Sequence, residues 1–167
     1  MENTVQDPEE YLDYANLPFV SERHTRVISA QKLAHVLGIS GHQIAKTVLL
    51  QADGRVWMAV LQAPDIVDLD RLGAALDASS MRLLEEGEFA PLFLGCEAGA
   101  EPPFGKLYGV PVIVDRALAQ QPEIVLRAGS HEKVIRMRFS DFQRLESPKI
   151  ADFAAPMAPA LAETRAP

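Results

Sequence analysis

Apolar and polar residues alternate along several short stretches of the chain, with the period of two that is typical of β-strands. The Asp53-Gly54 pair separates the first two long stretches and is a typical hairpin turn, so we expect these two strands to be antiparallel neighbours. An earlier strand is predicted to begin near Pro18. The strands predicted after it are 43–51, 55–61, 81–83, 109–115, 123–127 and 133–139.

Other stretches carry apolar residues at the spacing of a helix and follow residues that often cap helices. Ser29 precedes the apolar stripe of Leu33, Val36 and Leu37, and Gly38 follows it, so we predict a helix that ends before Gly38. Further helices are predicted after the cap residues Asp7, Asp68 and Ser140, and over residues 85–94.

The predicted helices are interspersed with hairpins and short strands, and they do not alternate strictly with single strands. This order favours an α+β fold with a mixed, largely antiparallel, barrel-like sheet flanked by helices. We divide the chain into an N-terminal extension with a short helix (1–20), one folded domain (21–147) and a loose tail rich in alanine and proline (148–167).

The composition is that of a soluble globular domain, with 48% apolar and 23% charged residues in a chain of 167. No apolar run approaches the roughly 20 residues that a membrane-spanning helix needs. The acidic start of the chain lacks the pattern of a signal peptide, so we expect a cytoplasmic protein without membrane contact. The net charge of −7 argues against broad binding of nucleic acid through its phosphates, but it leaves room for a local basic patch.

The chain lacks the short motifs of several large enzyme classes, namely the phosphate-binding loop, the dinucleotide-binding glycine motif, the HExxH zinc motif and the GxSxG nucleophile elbow. The single cysteine, Cys96, excludes an internal disulfide, and we expect it to be a small buried apolar residue. The histidines at positions 24, 35, 42 and 131 have no metal-ligand spacing. We therefore expect neither a metal nor a cofactor.

Lys46 is the unusual residue of the predicted strand 43–51. It shares one face of the strand with Ile44, Val48 and Leu50, and the opposite face is also mostly apolar, so the strand is predicted to be central and covered on both sides. An ammonium on such a face is costly unless it reaches a partner, a cleft or water. Two interpretations follow: Lys46 extends to solvent from the end of the strand, or it serves in a functional cleft.

Two loops are candidates for a binding site. Residues 99–105 (GAEPPFG) form a segment stiffened by proline that can present backbone groups to a ligand, or can simply cross between elements. Residues 129–131 (GSH) offer backbone amides and a histidine, or a plain hairpin turn.

Five stretches together carry a resemblance to a known family. They are 29–38 (SAQKLAHVLG), 43–50 (QIAKTVLL), Gly99-Ala100 with 103–105 (PFG), 110–115 (VPVIVD) and Ala128-Gly129. In this order and at this spacing, the segment from about His24 to Leu145 resembles the YbaK/prolyl-tRNA editing-domain family of trans-acting aminoacyl-tRNA deacylases.

The resemblance implies a barrel-like mixed sheet, catalysis without a metal, and a pocket for the aminoacyl group at the 3′ end of tRNA. It implies that Lys46 is the residue most closely tied to activity. Two loops would line the pocket, and their substrate-binding candidates are Gly99, Ala100, Pro103, Phe104, Gly105, Gly129, Ser130 and His131.

An aminoacyl ester is already activated, so its hydrolysis needs a placed water or substrate hydroxyl and stabilisation of charge on the carbonyl oxygen. A lysine ammonium can provide that stabilisation or can anchor the terminal phosphate or ribose. Lys46 can alternatively act as a base, which requires a lowered pKa. The sequence leaves these roles open.

The chain departs from the family at the turn around Gly129. Members that clear cysteine carry a serine where this chain has Arg127 and a basic residue where it has His131, and members that clear alanine carry a histidine in a different context. The amino acid removed is therefore not predicted. Because the chain is acidic, we expect tRNA contacts to be local, or to be supplied by an aminoacyl-tRNA synthetase; the candidate residues are Arg127, Lys133, Arg136 and Arg138, of which the last two can instead form a solvated strand face.

Our first hypothesis is an enzyme that removes a mischarged amino acid from tRNA in trans. The second is a non-catalytic module that binds an aminoacyl group, tRNA or a synthetase in the same cleft. A third, a structural protein with a decayed pocket, is disfavoured because Lys46 and the Pro-Phe-Gly element are intact. The oligomeric state is not predicted.

Overall fold

A computed structural model of the chain describes residues 7–157. Ten strands and seven α-helices follow one another along this range. The strands are β1 (Val20–Arg23), β2 (Ile44–Ala52), β3 (Arg55–Gln62), β4 (Asp65–Val67), β5 (Met81–Leu83), β6 (Val112–Asp115), β7 (Glu123–Arg127), β8 (Lys133–Arg138), β9 (Lys149–Ala151) and β10 (Ala154–Pro156). The helices are α1 (Pro8–Tyr14), α2 (Ala30–Leu37), α3 (Leu69–Leu76), α4 (Glu86–Phe89), α5 (Gly105–Tyr108), α6 (Arg116–Ala119) and α7 (Phe139–Glu146).

Eight of the strands form one mixed sheet in the order β1-β8-β7-β2-β3-β6-β9, and β5 pairs with the end of β2. Antiparallel pairs outnumber parallel ones, which join β2 to β7, β3 to β6 and β6 to β9. The predicted α+β class with a mixed sheet flanked by helices is confirmed. Within residues 7–157 the sheet does not close into a barrel, because β1 and β9 remain at its two edges.

The hairpin of β2 and β3 is the centre of this sheet, as the Asp53-Gly54 turn predicted, and it pairs from Ala45 with Gln62 to Ala52 with Arg55. Both faces of β2 are covered. Ala45 and Leu49 belong to a large core beneath α1, α5 and α7, whereas Ile44 and Leu50 belong to smaller cores beneath α2 and α3. Because alternate residues of a strand face opposite sides, Lys46 lies on the side of α2 and α3.

Helix α2 forms for the reasons that its sequence predicts. The Ser29 side chain accepts a hydrogen bond from the Lys32 N–H at 3.1 Å, and Gly38 ends the helix in the left-handed region at φ +68°. The last helix differs from the prediction, since α7 begins directly after β8 at Phe139 and not after a Ser140 cap. Phe139 is buried in the core, so packing places the start of this helix where no capping side chain does.

Strands continue past residue 147, where the sequence predicted a loose tail. β9 pairs with β6 at the edge of the large sheet, and β10 pairs with β4 in a separate two-stranded sheet. Alanine and proline dominate this segment, so its composition does not indicate a contact with the core. In the structure Phe153 is fully buried against the core that contains Leu50 and Leu61. Residues 1–6 of the predicted extension and 158–167 of the predicted tail lie outside the described residues.

Asp115 fastens this final segment to the sheet. Its buried carboxylate accepts hydrogen bonds from the Phe153 and Ala154 N–H groups, both at 2.9 Å, and from the Ala117 N–H at 3.0 Å. One side chain therefore caps α6 and holds the chain that follows β9.

We predict that Asp115→Ala lowers the free energy of unfolding by about 3 kcal/mol, because it leaves three backbone donors without their charged acceptor. Urea unfolding followed by circular dichroism measures this change. Asp152→Ala removes a neighbouring but exposed carboxylate and should change stability little. A loss below about 1 kcal/mol for Asp115→Ala would contradict the role of this carboxylate.

Candidate functional site

A cavity of about 140 Å³ lies where the parallel strands β2 and β7 separate. The two strands pair only at Ile44 and Ala45, and β5 joins the same edge of β2 only from Leu50 onward. Between these pairings, residues 46–48 have no strand neighbour on that edge within the described chain. The cavity is lined by Ile28, Ala30, Ile44, Ala45, Lys46, Thr47, Gly99, Glu101 and Arg127. Its volume is close to that of engineered protein cavities that bind benzene, so it accommodates about six heavy atoms.

Lys46 stands between this cavity and a wider groove of about 590 Å³, which it lines together with His42, Pro64, Asp65 and Met157. Its side chain is partly buried, and its ammonium donates a hydrogen bond to the backbone oxygen of Asp65. Burial lowers the pKa of Lys46 below its usual value, and the nearby Asp65 charge partly offsets that effect. The ammonium therefore faces a cleft and not the open surface.

Asp65, which the sequence analysis did not identify as a site residue, is the charged neighbour of this lysine. Burial raises the pKa of the Asp65 carboxyl, and the charge of Asp115 raises it further, whereas His42 and Lys46 lower it. The only sequence signal was its position directly after Pro64, where the chain leaves β3. Asp65 lines the groove together with Lys46 and His42.

The loop 99–105 lies against the core. Phe104 is fully buried and packs against Tyr11 and Phe142, with ring centroids 5.3 and 5.9 Å away. A Cβ on Gly105 would lie 2.1 Å from the Val110 backbone oxygen, so only glycine fits there. The loop is thus held rigidly by its C-terminal half.

Only Gly99 and Glu101 of this loop line the cavity. Ala100 is fully buried, and its backbone oxygen accepts the Gly129 N–H at 2.9 Å, which joins the loop to the 129–131 turn. The predicted substrate contacts of Ala100, Pro103, Phe104 and Gly105 stay predictions; in the structure these residues fix the shape of the loop.

His131 supports the same loop from behind. Its ring nitrogen Nε2 lies 2.8 Å from the Ala98 backbone oxygen, which only accepts, so Nε2 carries the proton. Its backbone N–H donates to Glu97 at 2.8 Å, and its ring packs against Gly99. Neither His131 nor Gly129 and Ser130 lines the cavity, and their predicted substrate contacts also stay predictions.

Two charged lining residues, Glu101 and Arg127, were not named as pocket residues from the sequence. Arg127 is buried, and its guanidinium donates to the backbone oxygens of Val27 at 2.9 Å and Ile28 at 2.8 Å. The prediction that Arg127 contacts tRNA stays a prediction; the structure places its side chain in the wall of the cavity. The departure at position 127 was the signal that could have placed it there.

Glu101 is 5% exposed, and its Oε2 accepts the Gly99 N–H at 3.1 Å. Burial raises the pKa of this carboxyl, and hydrogen bonds from the backbone N–H groups of Glu101 and Gly99 oppose the rise. A buried acid on the cavity wall is chemically conspicuous, since carboxylates are rarely buried without a strong partner.

Within residues 7–157, no group of three or more histidine, cysteine, aspartate or glutamate side chains is placed to hold a metal ion. Cys96 is half-buried, with its sulfur 3.5 Å from the Tyr108 hydroxyl, and burial raises the pKa of its thiol. A thiol with a raised pKa is a poor nucleophile at neutral pH. None of the described helices is long and apolar enough to cross a membrane.

Glu146 connects the site loop to the first helix. Its buried carboxyl accepts the Tyr11 hydroxyl at 2.6 Å and the Lys106 N–H at 3.0 Å, and burial raises its pKa above the ordinary value of 4.5. With a raised pKa, the folded protein keeps this proton to a higher pH than the unfolded chain. The stabilising contribution of the group is therefore full below about pH 4.5 and is lost as pH rises through the folded-state pKa.

We predict that Glu146→Gln, which cannot ionise, removes this loss. The free energy of unfolding of the variant minus that of wild type should therefore be larger at pH 7 than at pH 4, which means that the variant gains stability relative to wild type as pH rises. Urea unfolding at the two pH values measures the difference, with the exposed Glu10→Gln as the control for losing one charge. If the free energies of unfolding of Glu146→Gln and wild type differ by the same amount at both pH values, the raised pKa of Glu146 is contradicted.

The comparisons with known proteins agree on one family. The sequence profile described as the aminoacyl-tRNA editing domain matches residues 24–145. Two curated proline–tRNA ligases from strains of Acidithiobacillus ferrooxidans are 32% identical over 123 residues, which are 71% of this chain and 21% of the ligase. The chain thus spans about a fifth of the length of these relatives.

Among solved structures, a candidate trans-editing enzyme for prolyl tRNA synthetase superposes with a TM-score of 0.77 at 20% identity, covering 89% of this chain and 94% of that one. A protein described as hypothetical gives a TM-score of 0.81 at 18% identity, covering 89% and 99%. At these identities the two structures establish the shared fold alone.

Proposed function

The chain belongs to the aminoacyl-tRNA editing domain family, and on that premise we propose that it hydrolyses the ester that joins a mischarged amino acid to tRNA. One observation carries this proposal: the Lys46 ammonium lies at the junction of a cavity of about 140 Å³ and a wider groove. An aminoacyl group fits the cavity by size, and the groove leaves room for the terminal nucleotide of the tRNA. The scissile ester would then lie beside Lys46.

In the proposed reaction, the oxygen of water, which a ribose hydroxyl of the substrate can help to place, adds to the ester carbonyl carbon and gives up a proton. The bond from that carbon to the ribose oxygen then breaks, and the ribose oxygen takes up that proton, which leaves the free amino acid and the tRNA with its terminal hydroxyl. We propose that Lys46 acts through its positive charge, which stabilises the negative charge that develops on oxygen in the transition state. The Asp65 backbone oxygen fixes the direction of the ammonium, so little reorganisation is needed on binding.

We propose that the partners are the aminoacylated 3′ end of tRNA and, for further affinity, an aminoacyl-tRNA synthetase, and that the protein acts in the cytoplasm. The pairing of surface charges supports a role for a second protein. Lys133 pairs with Glu9 at 2.6 Å and Arg136 pairs with Glu22 at 2.8 Å, so acids already neutralise two of the candidate tRNA contacts. Arg138 is exposed at the end of β8 and remains a candidate contact.

A non-catalytic binding module is the second candidate. It is favoured by the fact that the Lys46 ammonium already donates one hydrogen bond to the protein, which leaves fewer donors for a transition state. Such a module would bind an aminoacyl group or the tRNA end without turnover.

We predict that the wild-type protein deacylates one or two members of a panel of mischarged tRNAs. Lys46→Met, which keeps the length of the side chain but not its charge, should reduce the single-turnover rate constant by about 100-fold or more. Lys32→Met removes an exposed lysine from α2 and serves as the matched control. Unchanged hydrolysis in Lys46→Met would exclude the proposed role of this lysine.

If no tRNA in the panel is hydrolysed, thermal shifts with non-hydrolysable aminoacyl-adenosine amides decide between the two candidates. A stabilised protein without turnover is the result expected of the binding module.

The pH dependence separates a charged Lys46 from a basic one. Because burial lowers its pKa below 10.5, a rate that depends on the ammonium should fall as pH rises through this lowered value. Lys46→Arg keeps its charge over the whole range, so its smaller rate should not show that fall. The rates are measured with the uncatalysed alkaline hydrolysis subtracted; a wild-type rate that rises with pH through the same range would instead assign Lys46 as a base.

A further inference from the structure

The cavity contains one acidic side chain that the proposed hydrolysis does not use. Glu101 is the third residue of the 99–105 loop and lines the cavity together with Gly99. It is 5% exposed; its Oε2 accepts the Gly99 N–H at 3.1 Å, and its own backbone N–H also donates to the carboxyl. The chain therefore buries a carboxyl whose capacity to accept hydrogen bonds is only partly used.

The rest of the wall is mixed. Ile28, Ala30, Ile44 and Ala45 are apolar, Lys46 and Thr47 are polar, and the guanidinium of Arg127 donates to two backbone oxygens. The Lys46 ammonium likewise donates to a backbone oxygen, that of Asp65. A ligand that fills the cavity displaces water from the Glu101 carboxyl at a cost in free energy, and a donor on the ligand would recover part of that cost.

The volume of the cavity, which about six heavy atoms fill, favours an aminoacyl group with a small side chain. A hydroxyl suits the acid best, because it can donate to a carboxylate and can accept from a protonated carboxyl. A methyl group in the same place would displace water from the acid without offering a donor in return, so an apolar side chain of equal shape is disfavoured.

We propose that Glu101 is a specificity-determining residue, which selects small aminoacyl groups whose side chain carries a hydroxyl over isosteric apolar ones. This inference rests on the proposed function of the cavity, and it adds to it the chemical class of the amino acid.

The test uses threonyl and valyl esters of the same tRNA, since these two side chains differ by a hydroxyl in place of a methyl. Wild type should hydrolyse the threonyl ester at least about tenfold faster in kcat/KM, which is the order of discrimination that one buried hydrogen bond supplies. Glu101→Met should abolish the preference by replacing the acid with an apolar chain of similar length. Glu101→Gln, which retains an oxygen for the Gly99 N–H, should reduce it at least threefold.

Glu86→Gln is the matched control. It removes a nearby exposed carboxylate from α4 that does not line the cavity, and it should leave the preference unchanged. If Glu101→Met does not fold, as judged by circular dichroism, the result with Glu101→Gln decides. Equal rates for the two esters in wild type would overturn the proposal, as would a preference that survives in the glutamine variant. So would an equal loss on both esters, which would assign Glu101 to the common α-amino group.

A second measurement separates this inference from the proposed function. Calorimetric titration with the amide analogues 3′-threonylamino- and 3′-valylamino-3′-deoxyadenosine reports selectivity without hydrolysis. Tighter binding of the threonyl amide, lost in Glu101→Met or Glu101→Gln, would support Glu101 as the selecting residue even if no ester is cleaved. Equal binding of the two amides, or no binding of either, would overturn it.

Discussion

The candidate site depends on one constraint, which is that β2 has two different neighbours along a single edge. β7 pairs with its beginning and β5 with its end, so the middle of the strand borders a cavity on that side. The other edge of β2 pairs along its length with β3, and both faces are covered by helices or core. A lysine in the middle of β2 therefore has one direction in which its ammonium can avoid full burial, and that direction is the cleft.

The same arrangement separates the residues that hold the site from the residues that face it. Phe104 and Gly105 lock the 99–105 loop to the core, and Glu146 ties the segment after it to α1 and α7. His131 occupies the space behind Gly99. These residues determine where Glu101 stands but do not line the cavity themselves. A rigid loop of this kind keeps a ligand-facing side chain in place with little loss of entropy on binding.

The central hairpin and the position of Lys46 could be predicted because local signals determine both. Asp53-Gly54 specifies a two-residue turn, and the apolar residues on both faces of β2 specify a covered strand with a lysine on it. The lining of the pocket was harder to predict, since the sequence identifies a rigid loop but does not say which of its residues points inward. The departure at position 127 was a signal for Arg127, whereas Glu101 became identifiable only when the structure placed it in the same cavity as Lys46. β9 and β10 escaped prediction for a related reason, because their pairing depends on Asp115 and Phe153 and not on their own composition.

The placement of Lys46 and Glu101 on different elements has a physical consequence. Lys46 is fixed by the register of the central strand, so shifting it would reverse the burial of every residue in β2. Glu101 is carried by a loop whose anchors lie at other positions, so a different side chain at 101 can be accommodated with less disturbance of the core. The Glu101 side chain contributes one hydrogen bond to another residue of the loop, which it accepts from the Gly99 N–H. The chemistry of the cavity wall can therefore change at position 101 without a shift of Lys46.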